Sequence, residues 1–158
     1  MTRRSGTPSF TGLGPASPHS RRAAQRSSKK ANTKCELALR RALRTTGLRY
    51  RLSSCGLPGH PDIIFPREHV VVFCDGDFWH GRNLASRLAR LSRGHNAPYW
   101  TNKIRSNVER DRAITTRLQG EGWQVIRLWE TDILRDPARA AATVAEAIRA
   151  QGSAARRA

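Results

Sequence analysis

Apolar and polar residues recur along this chain with two different periods, and those periods mark out its elements. Thr33-Lys-Cys-Glu36 has the spacing of a capping box, in which a Thr hydroxyl and a Glu carboxylate satisfy free backbone amides at a helix start. Leu37, Leu39 and Leu43 follow and Gly47 is placed to stop the turn, which predicts a helix over about 34–46. Leu48, Tyr50 and Leu52 alternate with Arg49 and Arg51, the period of a half-buried strand. A loop rich in Gly and Pro then leads to a short strand, Asp62–Phe65, and a tight turn at Pro66–Glu68. His69–Cys74 is a continuous apolar run of strand length, as at the centre of a sheet. Residues 75–81 form a loop dense in Asp, Trp and His, and residues 83–92 a short helix.

The stretch 99–119 reads as a long helix with Trp100, Ile104, Val108, Ile114, Thr115 and Leu118 on one face, ended by Gly120 and Gly122. Asp111 falls near the middle of that apolar face, with Asn107 one turn before it; a carboxylate there requires a hydrogen-bond or charge partner. Trp123–Trp129 is another strand. Asp136-Pro137 starts a last helix, with Ala140, Val144 and Ile148 inward and Gly152 as its stop. Helix, three strands, helices, strand, helix describes an α/β or α+β sandwich with a mixed sheet. The 158 residues suffice for one ordinary core. No run of about 18 apolar residues offers a membrane span.

Charge changes the picture from a fold to a partner. Lys and Arg total 29 against 12 Asp and Glu, a net charge of +17, which points to a polyanion and most simply to nucleic acid. The first 34 residues hold eight Lys/Arg and no acid, among Ser, Thr, Gly and Pro. Such a segment cannot bury enough surface to offset its ordering entropy. Residues 1–30 are therefore expected as a disordered basic arm, 31–150 as the domain, and 151–158 as a disordered tail. The three cysteines, Cys35, Cys55 and Cys74, have neither disulfide-scaffold nor zinc spacing and suit a reducing cytoplasm. Charge alone does not separate a nuclease from a passive DNA binder or a ribosomal protein.

The scarce carboxylates supply the candidate chemistry. Pro61-Asp62 opens one strand, and Cys74-Asp75 ends the next. If the two strands pair through the turn at 66–68, Asp62 meets Cys74 and Asp75. An acid beside a second acid or a main-chain carbonyl presents oxygen ligands to Mg²⁺, which stabilises a phosphodiester under attack by water. His80 is a candidate general base for that water, and Glu36 a further acid. Each has a plainer reading: Pro-Asp opens turns, Asp75-Gly-Asp77 is a polar turn, and a single His is more often a surface residue. Phe78 and Trp79 are adjacent and cannot both face inward on a regular element, so an exposed aromatic suited to wedging into a duplex is expected. Trp100 is either core or a further wedge.

Taken in order, these stretches resemble the very short patch repair endonuclease family. The matching segments are Thr33–Glu36, Leu57-Pro-Gly-His-Pro-Asp62, Val70–Phe73, Phe78-Trp-His80, Tyr99-Trp100 with Lys103-Ile104, Asn107-Val-Glu-Arg-Asp111, and Gly122–Val125 through Trp129-Glu130. The resemblance implies the restriction-endonuclease-like fold, a three-layer α/β sandwich whose central mixed sheet is flanked by helices. It implies nicking of duplex DNA 5′ of the thymine in a T·G mismatch left by deamination of 5-methylcytosine. Mg²⁺ would be the cofactor, and a cytosine-5 methyltransferase and mismatch-repair factors the functional partners of a monomeric, cytoplasmic bacterial enzyme. By the same resemblance Asp62 binds the metal, the Cys74 main-chain carbonyl helps to hold it, His80 is catalytic, and Glu36 lies near the active site. Phe78, Trp79 and Trp100 match the intercalating aromatics. Lys103 and Arg105 are expected at the DNA, and Asp111, with Asn107, is expected to fix a His or Arg.

The sequence also departs from the best-known form of that family. Asp75 stands where that form has a second active-site histidine, so a carboxylate there is a possible Mg²⁺ ligand or catalytic acid. Asp77 and Thr131 stand where it has cysteine ligands of a structural zinc, and Gly81-Arg82-Asn83 replaces its His- and Cys-rich run. No structural zinc is therefore expected. Two other functions stay open at this point: a nuclease of the same fold with a different DNA target, as in a defence system, and a non-catalytic DNA-binding protein.

Overall fold

The computed structural model describes residues 32–52, 56–94 and 96–155. The basic arm, Cys55 and residues 156–158 lie outside them. The described residues divide into two compact units, those within 32–76 and 113–155, and those within 77–112.

The first unit holds a four-stranded sheet of order β1-β2-β3-β4: β1 (Arg51–Leu52), β2 (Ile63–Phe65), β3 (Val70–Asp75) and β4 (Gln124–Trp129). β1, β2 and β3 pair antiparallel and β3 pairs parallel with β4, so the sheet is mixed. The hairpin through 66–69 sets Ile63 opposite Val72. Every residue of β2 is buried, as is every residue of β3 except Cys74, as the unbroken apolar run requires. Ile63, Phe65, Val70 and Val72 face helices α1 (Lys34–Arg44), α4 (Glu130–Arg135) and α5 (Pro137–Ala155) through Leu39, Leu43, Ile133, Val144 and Ile148. Ile64, Val71 and Phe73 pack on the opposite face against Leu118, with Ile114, Trp123 and Val125 around them. Leu118 and Ile114 come from the C-terminal part of helix α3 (Ala97–Gly120), so helices cover both faces of the sheet.

The local chemistry explains where the elements differ from the expected ones. The expected strand at 48–52 shrinks to Arg51–Leu52 because the register would place Arg49 opposite Pro66, which has no N–H to give the ladder. Leu48 and Tyr50 still pack on the core, and the Tyr50 ring meets Phe65 edge-on at 5.9 Å. β3 starts at Val70 rather than His69 because His69 has φ 54°, the left-handed turn that closes the hairpin. Helix α4 was not legible: it follows β4 directly, with Trp129 at its start and no capping side chain, and is anchored by buried Ile133. α5 begins as expected, the Arg139 N–H donating to Asp136 Oδ1 at 2.9 Å, but it continues through Gly152 to Ala155. The alanines at 150, 154 and 155 favour continuing the helix more than one Gly opposes it. Among the described residues no helix is long and apolar enough to cross a membrane.

The unit 77–112 contains helix α2 (Leu84–Leu91) and the part of α3 up to Arg112. No residue of α2 is buried. Ile104 is fully buried, and Asn107 and Asp111 are the polar residues buried here.

One glycine is required by shape as well as by backbone angle. Gly59 has φ +77°, and a Cβ on it would sit 2.6 Å from Ile114 Cγ2 and 3.4 Å from Phe73 Cε1. Gly59→Ala is expected to destabilise the protein by about 2 kcal/mol through backbone strain and overpacking. That corresponds to a fall of roughly 5 °C in Tm, read by thermal denaturation. An unchanged Tm would mean that the loop carrying Asp62 is not pinned at this point.

Candidate active site

In the sheet unit the site is built on the strand pair β2–β3. The loop Leu57-Pro-Gly-His-Pro61 is held by Leu57 against the Ile64–Phe73 cluster, by the close fit of Gly59, and by fully buried Pro61. His60, with φ 54°, turns the chain into Pro61. Asp62 is thereby delivered to the start of β2, its N–H donating to the Val72 carbonyl at 3.0 Å. Its Oδ2 accepts the Cys74 N–H at 2.7 Å, and its Oδ1 has no protein partner among the described residues. The hairpin thus brings Asp62 beside Cys74, as the spacing predicts.

Burial pushes the Asp62 carboxyl up to about 6; the Cys74 N–H opposes this, and the nearby Glu36 and Asp75 charges add to it. A carboxylate so placed favours a cation. The donor set suits a hard ion of small protein coordination: one carboxylate oxygen and the neighbouring main-chain carbonyl of Cys74, with water and phosphate oxygens to complete it. Among the described residues no group of three or more His, Cys, Asp and Glu side chains is arranged to hold a metal, so an all-protein cage is not built here.

Asp75 and Glu36 are differently employed. Asp75, 4% exposed, is gripped by a bidentate Arg127: Nε to Oδ2 at 2.6 Å and Nη2 to Oδ1 at 2.9 Å. Arg127 Nη1 donates to Thr115 Oγ1 at 3.3 Å, and the guanidinium lies 4.6 Å from the Phe73 ring centroid. Both Asp75 oxygens are therefore committed to an arginine. Glu36 is buried with one oxygen accepting from the Thr33 hydroxyl at 2.9 Å. Its other oxygen accepts from the Asn32 N–H and from Arg40 Nη2, each at 2.9 Å. The capping box forms, but with the Glu reaching the amide of Asn32. Cys35 and Cys74 hydrogen-bond through their thiols; that bond and burial push the Cys74 thiol up, so it stays neutral.

In the unit 77–112 the buried Asp111 finds the partner the helix pattern demands. Asp111 Oδ2 lies 2.5 Å from His80 Nδ1, and Asn107 Nδ2 donates to the Trp79 carbonyl at 3.1 Å. Two residues one turn apart on α3 therefore fasten the loop on both sides of the Trp79–His80 peptide. Gly81 completes the fit: its φ is +74° and a Cβ would meet Val108 Cγ2 at 2.6 Å. With Nδ1 held by a carboxylate, the imidazole's orientation and tautomer are set and proton exchange is directed to Nε2. Asp77 belongs to this unit, its Oδ1 accepting from Arg82 Nη1 at 3.0 Å.

The aromatics gather as a group. Phe78 meets Trp79 at 5.0 Å and Trp100 at 6.4 Å, both edge-to-face; Trp79 lies 6.0 Å from Trp100, and Tyr99 5.0 Å from Trp100. All four are half-buried, so Trp100 is neither full core nor a free-standing wedge. Lys103, one turn from Trp100, shares its side of α3, whereas Arg105 is turned about 140° away around the axis. The residue that sequence reading missed is Arg127. Its signal was present, one arginine at the centre of the otherwise apolar strand Gln124-Val-Ile-Arg-Leu-Trp129.

Comparison with known proteins identifies the family. Residues 16–86 match the family model described as DNA mismatch endonuclease Vsr. The type II nicking enzyme V.NmeDIP of Neisseria meningitidis serogroup C is 40% identical over 84% of this chain and 88% of its own. The type II nicking enzyme V.HpaIIP of Haemophilus parainfluenzae is 36% identical over 77% of this chain and 85% of its own. The DNA mismatch endonuclease Vsr of Escherichia coli K12 is 36% identical over 63% of this chain and 62% of its own. With relatives of this identity and coverage, and with a mixed sheet flanked by helices as in restriction-endonuclease-like folds, the chain belongs to the Vsr family of DNA endonucleases.

Proposed function

We propose that this endonuclease nicks duplex DNA 5′ of the thymine at T·G mismatches produced by deamination of 5-methylcytosine, using Mg²⁺. The observation that carries the metal-dependent chemistry is Asp62: half-buried, raised to about 6, and with Oδ1 unclaimed among the described residues. Asp62 and the Cys74 main-chain carbonyl would hold the Mg²⁺. When bound, the ion supplies charge stabilisation to a phosphodiester attacked by water. His80 accepts a proton at Nε2 while Asp111 holds Nδ1 and stabilises the imidazolium that results. Asp75, neutralised by Arg127, and Glu36, tied to Arg40 and the helix cap, position this strand end and shape its field. The Phe78, Trp79 and Trp100 group supports the mismatch reading, because aromatic side chains enter a duplex where stacking is weakest. A cytosine-5 methyltransferase would then be the functional partner, as the source of the 5-methylcytosine. No structural zinc is part of the proposal.

The type II nicking names of the relatives favour a second reading, nicking of a matched DNA target. One assay separates the two. Full-length protein is given duplexes with a T·G pair, the matched C·G pair and its 5-methylcytosine form, with Mg²⁺ or with EDTA. Nicking on the 5′ side of the thymine, at least tenfold faster on T·G than on matched DNA and lost in EDTA, is expected. Equal cutting of matched DNA would replace the mismatch reading, and cutting in EDTA would remove the metal.

A further inference from the structure

A cavity of about 380 Å³ lies within the unit 77–112, lined by Phe78, Arg82, Asn83, Ser86, Arg87 and Arg90. Asn83 is the N-cap of α2, and within the helix Ser86, Arg87, Arg90 and Leu91 line the cavity, so one side of α2 forms a wall. A charged helix stripe is ordinarily a solvated face, but three features set this one apart. It is concave. Its arginines are oriented before any ligand arrives: Arg82 Nη1 is held by Asp77 Oδ1 at 3.0 Å, and Arg87 Nε donates to the Arg82 carbonyl at 3.4 Å. Arg87 also lies over the Phe78 ring, 5.1 Å from its centroid. Finally, the cavity is electrically unbalanced. Among the described residues no carboxylate lies within ion-pair distance of Arg87 or Arg90. Residues 77–112 carry eight Lys/Arg against three Asp/Glu.

We propose that this cavity is a binding site for a backbone phosphate of the DNA, held by Arg87 and Arg90 with Arg82, Ser86 and Asn83 around it. The inference rests on the DNA-nicking reading but not on the mismatch. Guanidinium forks match the paired oxygens of a phosphodiester, and the Ser hydroxyl and Asn amide add neutral donors. An inserted base is the poorer occupant, because the Phe78 face it would stack on is already covered by Arg87. The contact of Arg87 with Phe78 gives the site a consequence: the guanidinium that takes the phosphate also sets one of the aromatics expected to enter the duplex. Phosphate capture therefore fixes where Phe78 stands relative to the DNA strand.

The test uses the full-length protein in EDTA, with 30-base-pair duplexes carrying T·G or a matched pair, and fluorescence anisotropy across a salt series. Arg87→Gln/Arg90→Gln is expected to weaken binding of both duplexes roughly tenfold at 0.15 M salt. It should also lower the slope of log K against log[salt] by about 1, the counterion release of one neutralised phosphate. No residue of α2 is buried, so the variant keeps the fold, which its melting curve verifies. Neutral methylphosphonates are then walked along each strand. The wild-type protein should lose affinity at one or two positions where the double variant loses nothing further. An unchanged salt slope overturns the site, as does a methylphosphonate profile identical in wild type and variant. A protein that shows the coupled loss but treats T·G and matched DNA alike has the phosphate site and lacks the mismatch preference, so the two readings fail separately.

Discussion

Asp62→Asn is expected to abolish nicking while making the protein more stable at neutral pH. The first effect follows from the role of the carboxylate: removing the charge that would hold Mg²⁺ removes several kcal/mol of transition-state stabilisation, about 10³-fold in rate. The second follows from its surroundings. Burial, with Glu36 and Asp75 adding to it, raises the folded-state value from 3.8 to about 6. A raised acid binds its proton more tightly in the folded state, so between roughly pH 4 and pH 6 the folded protein holds more protons than the unfolded one. Stability contributed at this position is therefore highest below pH 4 and is lost as pH rises through 6. Above that, an ionised Asp62 costs the metal-free protein about 3 kcal/mol by linkage, an order-of-magnitude figure. An Asn can still accept the Cys74 N–H through its amide oxygen but has no charge to bury. In EDTA at pH 7.5 the variant should melt several degrees above wild type, and the difference should vanish near pH 3.5. Mg²⁺ should raise the wild-type Tm and leave that of the variant unchanged. A variant that nicks at the wild-type rate would remove Asp62 from the chemistry. One that is inactive but destabilised at pH 7.5 would show that its carboxylate is structural.

Much of this was legible in the chain because it rests on local rules. The capping box at Thr33–Glu36, the apolar run of β3, the hairpin that sets Asp62 beside Cys74, and the Asp136-Pro137 helix start each depend on residues within a few positions of one another. Asp111 was legible for a different reason: a carboxylate on an apolar face announces that a partner exists, though not that the partner is His80, 31 positions away. What sequence could not supply was long-range pairing and the override of local stops. Arg127 and Asp75 are 52 positions apart and meet because β3 and β4 lie side by side in parallel register, a fact no single segment encodes. α5 runs past Gly152 because the alanines around it favour the helix more than one glycine opposes it, a balance that the local stop signal does not show. Asp77 reads in sequence as part of a polar turn with Asp75; its pairing with Arg82, five positions on, is what the structure adds.

The Asp75–Arg127 pair leads to the second large effect. Its two charges are buried and face each other through two hydrogen bonds, with Thr115 and the Phe73 ring on the guanidinium's other sides. Arg127→Met leaves a buried carboxylate without its cation and should cost about 3–5 kcal/mol, a fall of roughly 10 °C in Tm. Replacing both members with apolar residues of similar size, Asp75→Leu/Arg127→Met, should recover most of that loss, because the desolvation of two charges disappears together with their attraction. The two variants also decide what Asp75 does. A carboxylate whose oxygens are both held by arginine is a positioning group for the end of β3, where Cys74 meets Asp62. On that basis the apolar pair should nick within about tenfold of wild type, the change appearing in kcat rather than KM, since the aromatics and arginines proposed to meet the DNA are untouched. If the double variant is as stable as wild type yet inactive, Asp75 leaves Arg127 during the reaction and takes a direct part beside Asp62. If it is neither stable nor active, the pair is required to fold the sheet. Restoring Asp75 alone, as in Arg127→Met, would then rescue neither property, whereas Arg127→Lys, which keeps a cation but loses the fork, should rescue stability in part.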